Sequence, residues 1–239
     1  RLTIRPLTPS RWRDLEKLFG ERGACGGCWC MWWRLAGRDY SRGRGAGNHA
    51  AFRSVVAKGP PPGLLAYVDG EPVGWCAFGP RAEYARLERS RILKPVDDRP
   101  AWSVTCFFVA RPHRGRGVTV RLLRAAAVHA RKCGARILEG YPTDTRGRRS
   151  ADVWVYTGLL PAFQKAGFQE VVRRSRSRPI MRRRLSGGVV RRTPPARAAP
   201  TASGEPPAPA PSDRRFSTAR SRGRTARAGR LPATRASAR

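Results

Sequence analysis

The segment Arg114-Gly115-Arg116-Gly117-Val118-Thr119 has the residue types and spacing of an anion-binding loop. It lies between an apolar run of strand length at 102–110 and a helix predicted at 118–132. A glycine-containing turn that opens a helix directs several backbone N–H groups, and the positive end of the helix dipole, to one point. Glycine also lets a ligand approach the backbone closely, where a Cβ would intrude. The loop therefore predicts a site for a phosphate or a pyrophosphate.

The spacing of the glycines excludes two kinds of nucleotide site. The loop lacks the full G-x-G-x-x-G of a dinucleotide site, and no G-x-x-x-x-G-K-[ST] phosphate loop occurs in the chain. The alternative is an arginine-rich solvated turn that happens to contain glycine, because short glycine motifs are weak signals.

Residues 23–34 combine three cysteines, Cys25, Cys28 and Cys30, with three tryptophans. Clustered thiols suit zinc or a redox pair, but a closed zinc site needs four ligands and no second C-x-x-C is present. The apolar neighbours favour thiols that are buried as small hydrophobic side chains. We therefore predict packing and no metal site, with a redox pair or a metal as the alternatives.

The elements that must position these residues follow from hydrophobic patterning. Asp69-Gly70, between apolar runs at 64–68 and 72–78, predicts a tight hairpin. Asn48 is predicted to cap a helix that ends near Lys58. The full order is β-α-α-β-β-β-α-β-α-β-β, which predicts an α/β (α+β) fold with a mixed β-sheet flanked by helices.

The composition changes near residue 182. The 239 residues carry 49 Lys and Arg against 16 Asp and Glu, a formal net charge of +33. From Arg182 to the end there are 15 arginines, two acids and too little apolar surface to offset the entropy of ordering. We predict a folded domain at 1–184 and a disordered basic tail at 185–239. A nucleic-acid-binding arm is the functional alternative for the tail.

Membrane insertion and a secreted disulfide scaffold are both excluded by the sequence. No apolar run approaches the roughly 18 residues of a membrane helix. Six cysteines without regular spacing do not form a disulfide framework. We expect a cytoplasmic protein that is a monomer or a homodimer.

The sequence resembles the GNAT acetyltransferase superfamily over residues 1–184. The family signature, [Q/R]-x-x-G-x-[G/A] after the fourth strand, is matched from Arg114 to Val118, with Thr119 in the slot usually held by Gly or Ala. Residues 163–168, Phe-Gln-Lys-Ala-Gly-Phe, look like the family's Y/F-x-x-x-G-F. The predicted order of elements is also the family's order, and agreement across levels is itself evidence.

The resemblance implies binding of acetyl-CoA as co-substrate. Its pantetheine arm would lie like an added strand along the backbone of Phe107, Phe108 and Val109. The pyrophosphate would sit on the loop amides, contributed by Arg114, Gly115, Arg116, Gly117, Val118 and Thr119. The reaction implied is direct attack of an amine on the thioester, with a backbone N–H at the end of the fourth strand stabilising the oxyanion.

Two departures from the family pattern affect the catalytic residues. Phe163 stands where the family often has a tyrosine acid, and the fourth strand lacks the glutamate that some members use as a base. As substitutes we predict Glu139 as the base and Tyr141 or Tyr156 as the proton donor. The alternative is structural: Glu139 paired with an arginine and the tyrosines packed.

By the same resemblance, Trp29, Trp32 and Trp33 would line an aromatic acceptor pocket that suits a cationic amine. The prediction is an acetyl-CoA-dependent N-acetyltransferase. The alternative is a non-catalytic CoA-binding protein, or a nucleic-acid-associated protein that acts through its basic tail.

Overall fold

The structure, a computed structural model, describes residues 1–148 and 150–185. The strands are β1 (Leu2–Pro6), β2 (Gly63–Val68), β3 (Glu71–Pro80), β4 (Trp102–Val109), β5 (Ile137–Gly140), β6 (Gln169–Arg173) and β7 (Pro179–Arg184). The α-helices are α1 (Trp12–Phe19), α2 (Gly37–Arg42), α3 (Ala46–Lys58), α4 (Ala85–Glu88), α5 (Val118–Lys132) and α6 (Leu160–Lys165). The domain boundary at 184 stays a prediction, because residues 186–239 of the expected tail lie outside the described part of the chain.

The strands form one sheet in the order β1-β2-β3-β4-β5-β7-β6. All neighbouring pairs are antiparallel except β4 and β5, which are parallel. The mixed α/β fold predicted from the sequence is confirmed, with the short helices α2 and α4 as additions. Asp69 and Gly70 both have positive φ, as a two-residue hairpin turn requires.

The sheet is covered on both faces. Helix α5 places its apolar side in one core, and its fully buried members are Leu122, Leu123, Ala126, Ala127 and Ala130. Helices α1 and α3 belong to a second core, around Trp75 of β3. Among the described residues, no helix is long and apolar enough to cross a membrane.

The prediction that Asn48 caps a helix was wrong. Helix α3 begins at Ala46, so Asn48 lies inside its first turn and is completely buried. Its side-chain amide donates to the carbonyl oxygens of Gly27, at 3.1 Å, and Tyr40, at 3.4 Å. These bonds fix the cysteine-tryptophan segment to α3, which explains why a polar side chain is buried here.

Strands β4 and β5 pair only over a short stretch. Residues 102–104 of β4 face residues 138–140 of β5, where β5 ends, whereas β4 runs on to Val109. From Thr105 onward, β4 keeps its bonds to β3 on one side and leaves its other edge without a β5 partner. This divergence opens the sheet in front of the glycine loop.

Replacing Leu123 by alanine should lower the free energy of unfolding by about 2–5 kcal/mol, because it removes a fully buried side chain from the core under α5. The matched control is Val128→Ala on the same helix, which is 49% exposed and should change stability by less than about 0.5 kcal/mol. Urea unfolding followed by circular dichroism measures both. Equal losses would contradict the assigned face of α5.

Candidate active site

A cavity of about 950 Å³ occupies the gap beside β4. Most of its wall comes from three parts of the chain. These are residues within 106–109 of β4, within 113–120 at the glycine loop and the start of α5, and within 153–165 before and within α6. Residues from 24–40 and Arg178 line the remainder. A volume of this size suits a drug-sized or cofactor-sized ligand.

The glycine loop has the geometry of an anion site. Gly115 and Gly117 have φ values of 71° and 76°, the left-handed region that favours glycine. Apart from the chain neighbours, no atom of the described residues lies within 4 Å of the place where a Cβ on either residue would stand. Because Gly117 is the residue before α5, the first N–H groups of that helix have no partner within the helix.

Most of the predicted cofactor-binding residues line this one cavity: Phe107, Phe108, Val109, Arg114, Gly115, Gly117, Val118 and Thr119. Arg116 is exposed and does not reach it. Arg114 bends back towards β4, and its Nε donates to the carbonyl oxygen of Val109 at 2.9 Å. The loop and the strand are thereby joined at one corner of the cavity.

The outward edge of β4 is partly occupied by the chain itself. The Phe107 N–H donates to the carbonyl oxygen of Tyr156 at 2.6 Å. Since N–H groups alternate in direction along a strand, the N–H of Val109 points to the same side as that of Phe107. Val109 is therefore the amide of this edge that is placed to meet a ligand.

Tyr156 is the one predicted catalytic residue that lines the cavity. Its ring lies 6.4 Å from that of Trp33, centroid to centroid. Burial, and then the adjacent Cys106, raise the pKa of the Tyr156 phenol above its ordinary value. The hydroxyl is therefore protonated at neutral pH and available as a proton donor.

Glu139 and Tyr141 lie elsewhere, in a buried polar network. The Glu139 carboxylate is fully buried between two arginines: Arg81 Nη1 lies 3.0 Å from Oε1, and Arg182 Nε lies 2.6 Å from Oε2. The hydroxyl of Tyr141 donates to the same Oε1 at 2.6 Å. Neither residue lines the cavity. This is the ion-paired arrangement that the sequence left open as the alternative to a catalytic base.

The network extends to segment 81–97. Arg81 Nη2 donates to the carbonyl oxygens of Leu87 and Leu93, and Arg182 Nη1 bonds to Asp97. Together with Arg99, Arg182 holds the pKa of Asp97 well below its usual range.

Burial and the nearby Glu139 carboxylate raise the pKa of Tyr141. The network therefore holds two ion-paired carboxylates and a phenol whose pKa is raised, at a place that does not line the cavity.

Four thiols line the cavity: Cys25, Cys28, Cys30 and Cys106. The pKa of Cys106 is raised well above its ordinary value by its hydrogen bond with Cys30 and by burial. Burial raises the pKa of Cys28 to about 12, and Cys30 Sγ lies 3.0 Å from the indole N–H of Trp75. Cys28 and Cys106 are therefore neutral thiols at ordinary pH, as packing predicts. In the described part of the chain, no group of three or more His, Cys, Asp or Glu is placed to hold a metal ion.

The three tryptophans predicted to line the acceptor pocket lie in two different places. Trp32 and Trp33 line the cavity, whereas Trp29 is buried in the second core against Trp12 and His49. Sequence reasoning missed Tyr40, Cys106 and Arg178, which also line the cavity. No local motif marks these three, because long-range folding alone brings them to one place.

The family model that matches the chain is the acetyltransferase (GNAT) family, over residues 29–152. That range exceeds half of the 239 residues and includes the glycine loop and the diverging strands. The chain belongs to the GNAT acetyltransferase family.

Solved GNAT structures are similar to this chain at low sequence identity. A GNAT acetyltransferase from Streptococcus pneumoniae is 15% identical, with 78% of this chain and 100% of that chain covered and a TM-score of 0.45. PaiA N-acetyltransferase from Thermoplasma acidophilum, in complex with coenzyme A, is 14% identical, with 77% and 99% covered and a TM-score of 0.45. A GNAT acetyltransferase from Brucella melitensis, in complex with acetyl-CoA, is 16% identical, with 78% and 90% covered and a TM-score of 0.42. No curated protein sequence gave a significant match.

Within this GNAT domain, Phe163 is a core residue. Its side chain is fully buried and packs edge-on against Phe107 and Phe168, with ring centroids 6.1 and 5.1 Å away. A tyrosine at this position would bring its hydroxyl into apolar surroundings. Tyr156, by contrast, lines the cavity.

Replacing Glu139 by glutamine should destabilise the protein by about 3–5 kcal/mol, because it removes the fully buried counter-ion that Arg81 and Arg182 share and leaves them only the more exposed Glu88 and Asp97. The control Glu170→Gln removes a more exposed carboxylate paired with Arg173 and should cost less than about 1 kcal/mol. Thermal and urea unfolding measure both. A normal stability for Glu139→Gln with lost activity would restore Glu139 as a candidate base.

Proposed function

We propose that this protein is an N-acetyltransferase that moves the acetyl group of acetyl-CoA to an amine. The observation that carries the proposal is that the glycine loop and the outward edge of β4 line the same cavity. Family membership supports an acetyl donor, and the cavity has room for a second substrate beside residues 24–40 and Arg178.

All six cysteines are free thiols, which supports the reducing cytoplasm expected from the sequence.

The residues present fit acetyl-CoA. The N–H groups at Gly115 to Thr119 and the positive end of the α5 dipole would hold the pyrophosphate. Arg114 and Lys165, both at the cavity wall, add positive charge near the phosphates. The Val109 N–H, on the outward edge of β4, would bind the pantetheine arm as an added strand does.

Acetyl-CoA supplies an activated acyl group: the amine nitrogen forms a C–N bond to the thioester carbon, the C–S bond breaks, and the thiolate takes up a proton while the amine loses one. The chain contributes mainly position, since two reactants bound in one cavity react far faster than in free solution. Tyr156, protonated at neutral pH, would give the proton to the departing thiolate.

The amine must reach the thioester in its neutral form. Among the described side chains that line the cavity, there is no Asp or Glu to stabilise an ammonium group, whereas Arg178 and Lys165 are positive. Apolar walls and nearby cations both lower the pKa of a bound amine. The cavity itself would therefore favour deprotonation to solvent, which replaces the base that Glu139 was expected to supply.

Replacing Gly117 by alanine should weaken acetyl-CoA binding at least tenfold, about 1.4 kcal/mol, because the added Cβ enters the space over the loop amides. Gly134→Ala is the matched control: its φ of 88° imposes similar backbone strain, its added Cβ meets no atom of the described residues beyond its chain neighbours, and it does not line the cavity. Calorimetric titration of the full chain at about 0.3 M salt suppresses indiscriminate anion binding. An equal change in both variants would contradict the loop as the phosphate site.

Replacing Tyr156 by phenylalanine should lower kcat at least tenfold and leave the KM for acetyl-CoA unchanged, because it removes a proton donor and keeps the ring. Tyr67→Phe removes a hydroxyl that bonds Asp14 outside the cavity and should leave kcat unchanged. Release of free CoA thiol, recorded over a pH range, measures both. An unaltered kcat in Tyr156→Phe would show that the thiolate leaves without help from this phenol.

A further inference from the structure

Three residues that line the cavity lie near one another: Trp33, Tyr156 and Arg178. Trp33 and Tyr156 are in ring contact, and Arg178 lies close enough to Tyr156 to lower its pKa against the effect of burial. Arg178 Nη1 donates to the hydroxyl oxygen of Thr157, which follows Tyr156 in the chain, at 2.7 Å. A cation and two aromatic rings therefore border the same space.

Arg178 differs from three other buried or partly buried arginines in its charge balance. Arg34, Arg81 and Arg182 each form an ion pair with a carboxylate. Arg178 forms none with any carboxylate in the described part of the chain. A cation at a largely apolar wall is stabilised when an anion pairs with it, so a bound anion is the partner that this position lacks.

The hydrogen bonds of Arg178 leave most of its guanidinium group for a ligand. Within residues 1–148 and 150–185, both of its bonds, to Thr157 and to the carbonyl oxygen of Tyr141, use Nη1. The Nε and Nη2 atoms have no such bond, and together they form the fork that binds a carboxylate through both oxygens.

A neutral donor adds to this chemistry. The indole N–H of Trp33 is buried and has no hydrogen-bond partner among the described residues, although Trp33 lines the cavity. Buried donors are nearly always paired in folded proteins. A ligand oxygen at the cavity wall would satisfy this one.

Resting on the proposed function, we propose that the acceptor is an α-amino acid with an apolar side chain. Its carboxylate binds Arg178, its side chain packs against Trp33 and Tyr156, and its α-amine is thereby held towards the thioester. The amine nitrogen forms the C–N bond, the C–S bond breaks, and one proton passes from nitrogen to the thiolate, giving an N-acetyl amino acid and CoA. Polyamines are disfavoured, because their second charge would meet Arg178.

The test compares acceptors that differ only in the carboxylate. The full chain is assayed with L-phenylalanine against phenethylamine and with L-leucine against 3-methylbutylamine, using acetyl-CoA at saturation and mass detection of the N-acetyl product. A charge-assisted bond to Arg178 should give the amino acid of each pair a kcat/KM about 10- to 100-fold above that of its amine.

Arg178→Gln should remove this preference, with a loss of about 10- to 100-fold for the amino acids and a clearly smaller loss for the amines, for which Arg178 only lowers the pKa of the bound amino group. Arg178→Lys should restore part of it as a point charge. The control Arg176→Gln removes the same charge from the same turn at an exposed position that does not line the cavity, and it should leave the preference intact. Acetyl-CoA affinity, measured on each variant, separates a misfolded cavity from a lost carboxylate contact.

Wild-type protein that acetylates the amines as well as the amino acids, or acetylates neither member of either pair, overturns the acceptor assignment. An equal loss for both members in Arg178→Gln overturns it too, because that is the result of a purely structural role. The proposed function fails separately, if the wild-type chain neither binds acetyl-CoA nor releases CoA with any amine.

Discussion

The ion-pair network at Glu139 is the constraint on which the rest of the structure depends. A fully buried carboxylate is tolerable only when its charge is balanced and its lone pairs are used. Arg81 and Arg182 supply both, and through the carbonyl oxygens of Leu87 and Leu93 the same Arg81 fixes the segment that precedes β4. The network lies where β5 ends and β4 continues, so it fixes the point at which the two strands part.

The cavity exists because β4 and β5 diverge beyond their short paired stretch. Beyond residue 104, β4 keeps an outward edge that the carbonyl oxygen of Tyr156 fills at Phe107 and leaves for a ligand at Val109. The glycine loop, directly after β4, turns its amides into the same cavity. Glu139 is held in structural ion pairs away from the cavity, and the described walls of the cavity carry positive charge and apolar surface. Such a cavity suits an anionic donor and an acceptor that enters as a neutral amine.

Local features of the fold could be predicted from the sequence, and features that need distant partners could not. The turn at Asp69-Gly70 and the loop at Gly115 and Gly117 depend on conformations that few residues adopt, so their types reveal them. The ion pairs of Glu139 could not be predicted, because its partners stand 58 and 43 residues away in the chain. Trp29 is buried in the second core, whereas Trp32 and Trp33 line the cavity. The backbone between them is irregular, with positive φ at Trp29 and Cys30, so no periodic pattern in the sequence predicts this difference.

Hydrogen exchange of the full chain, with and without acetyl-CoA at about 0.3 M salt, tests the central claim most directly. If the diverging strands and the glycine loop form one acetyl-CoA site, amides of residues 106–109 and 113–119 should exchange more slowly in the presence of the ligand, because those groups become hydrogen-bonded or covered. Unchanged exchange in both segments, or slowing spread evenly over the arginine-rich surface, would contradict it.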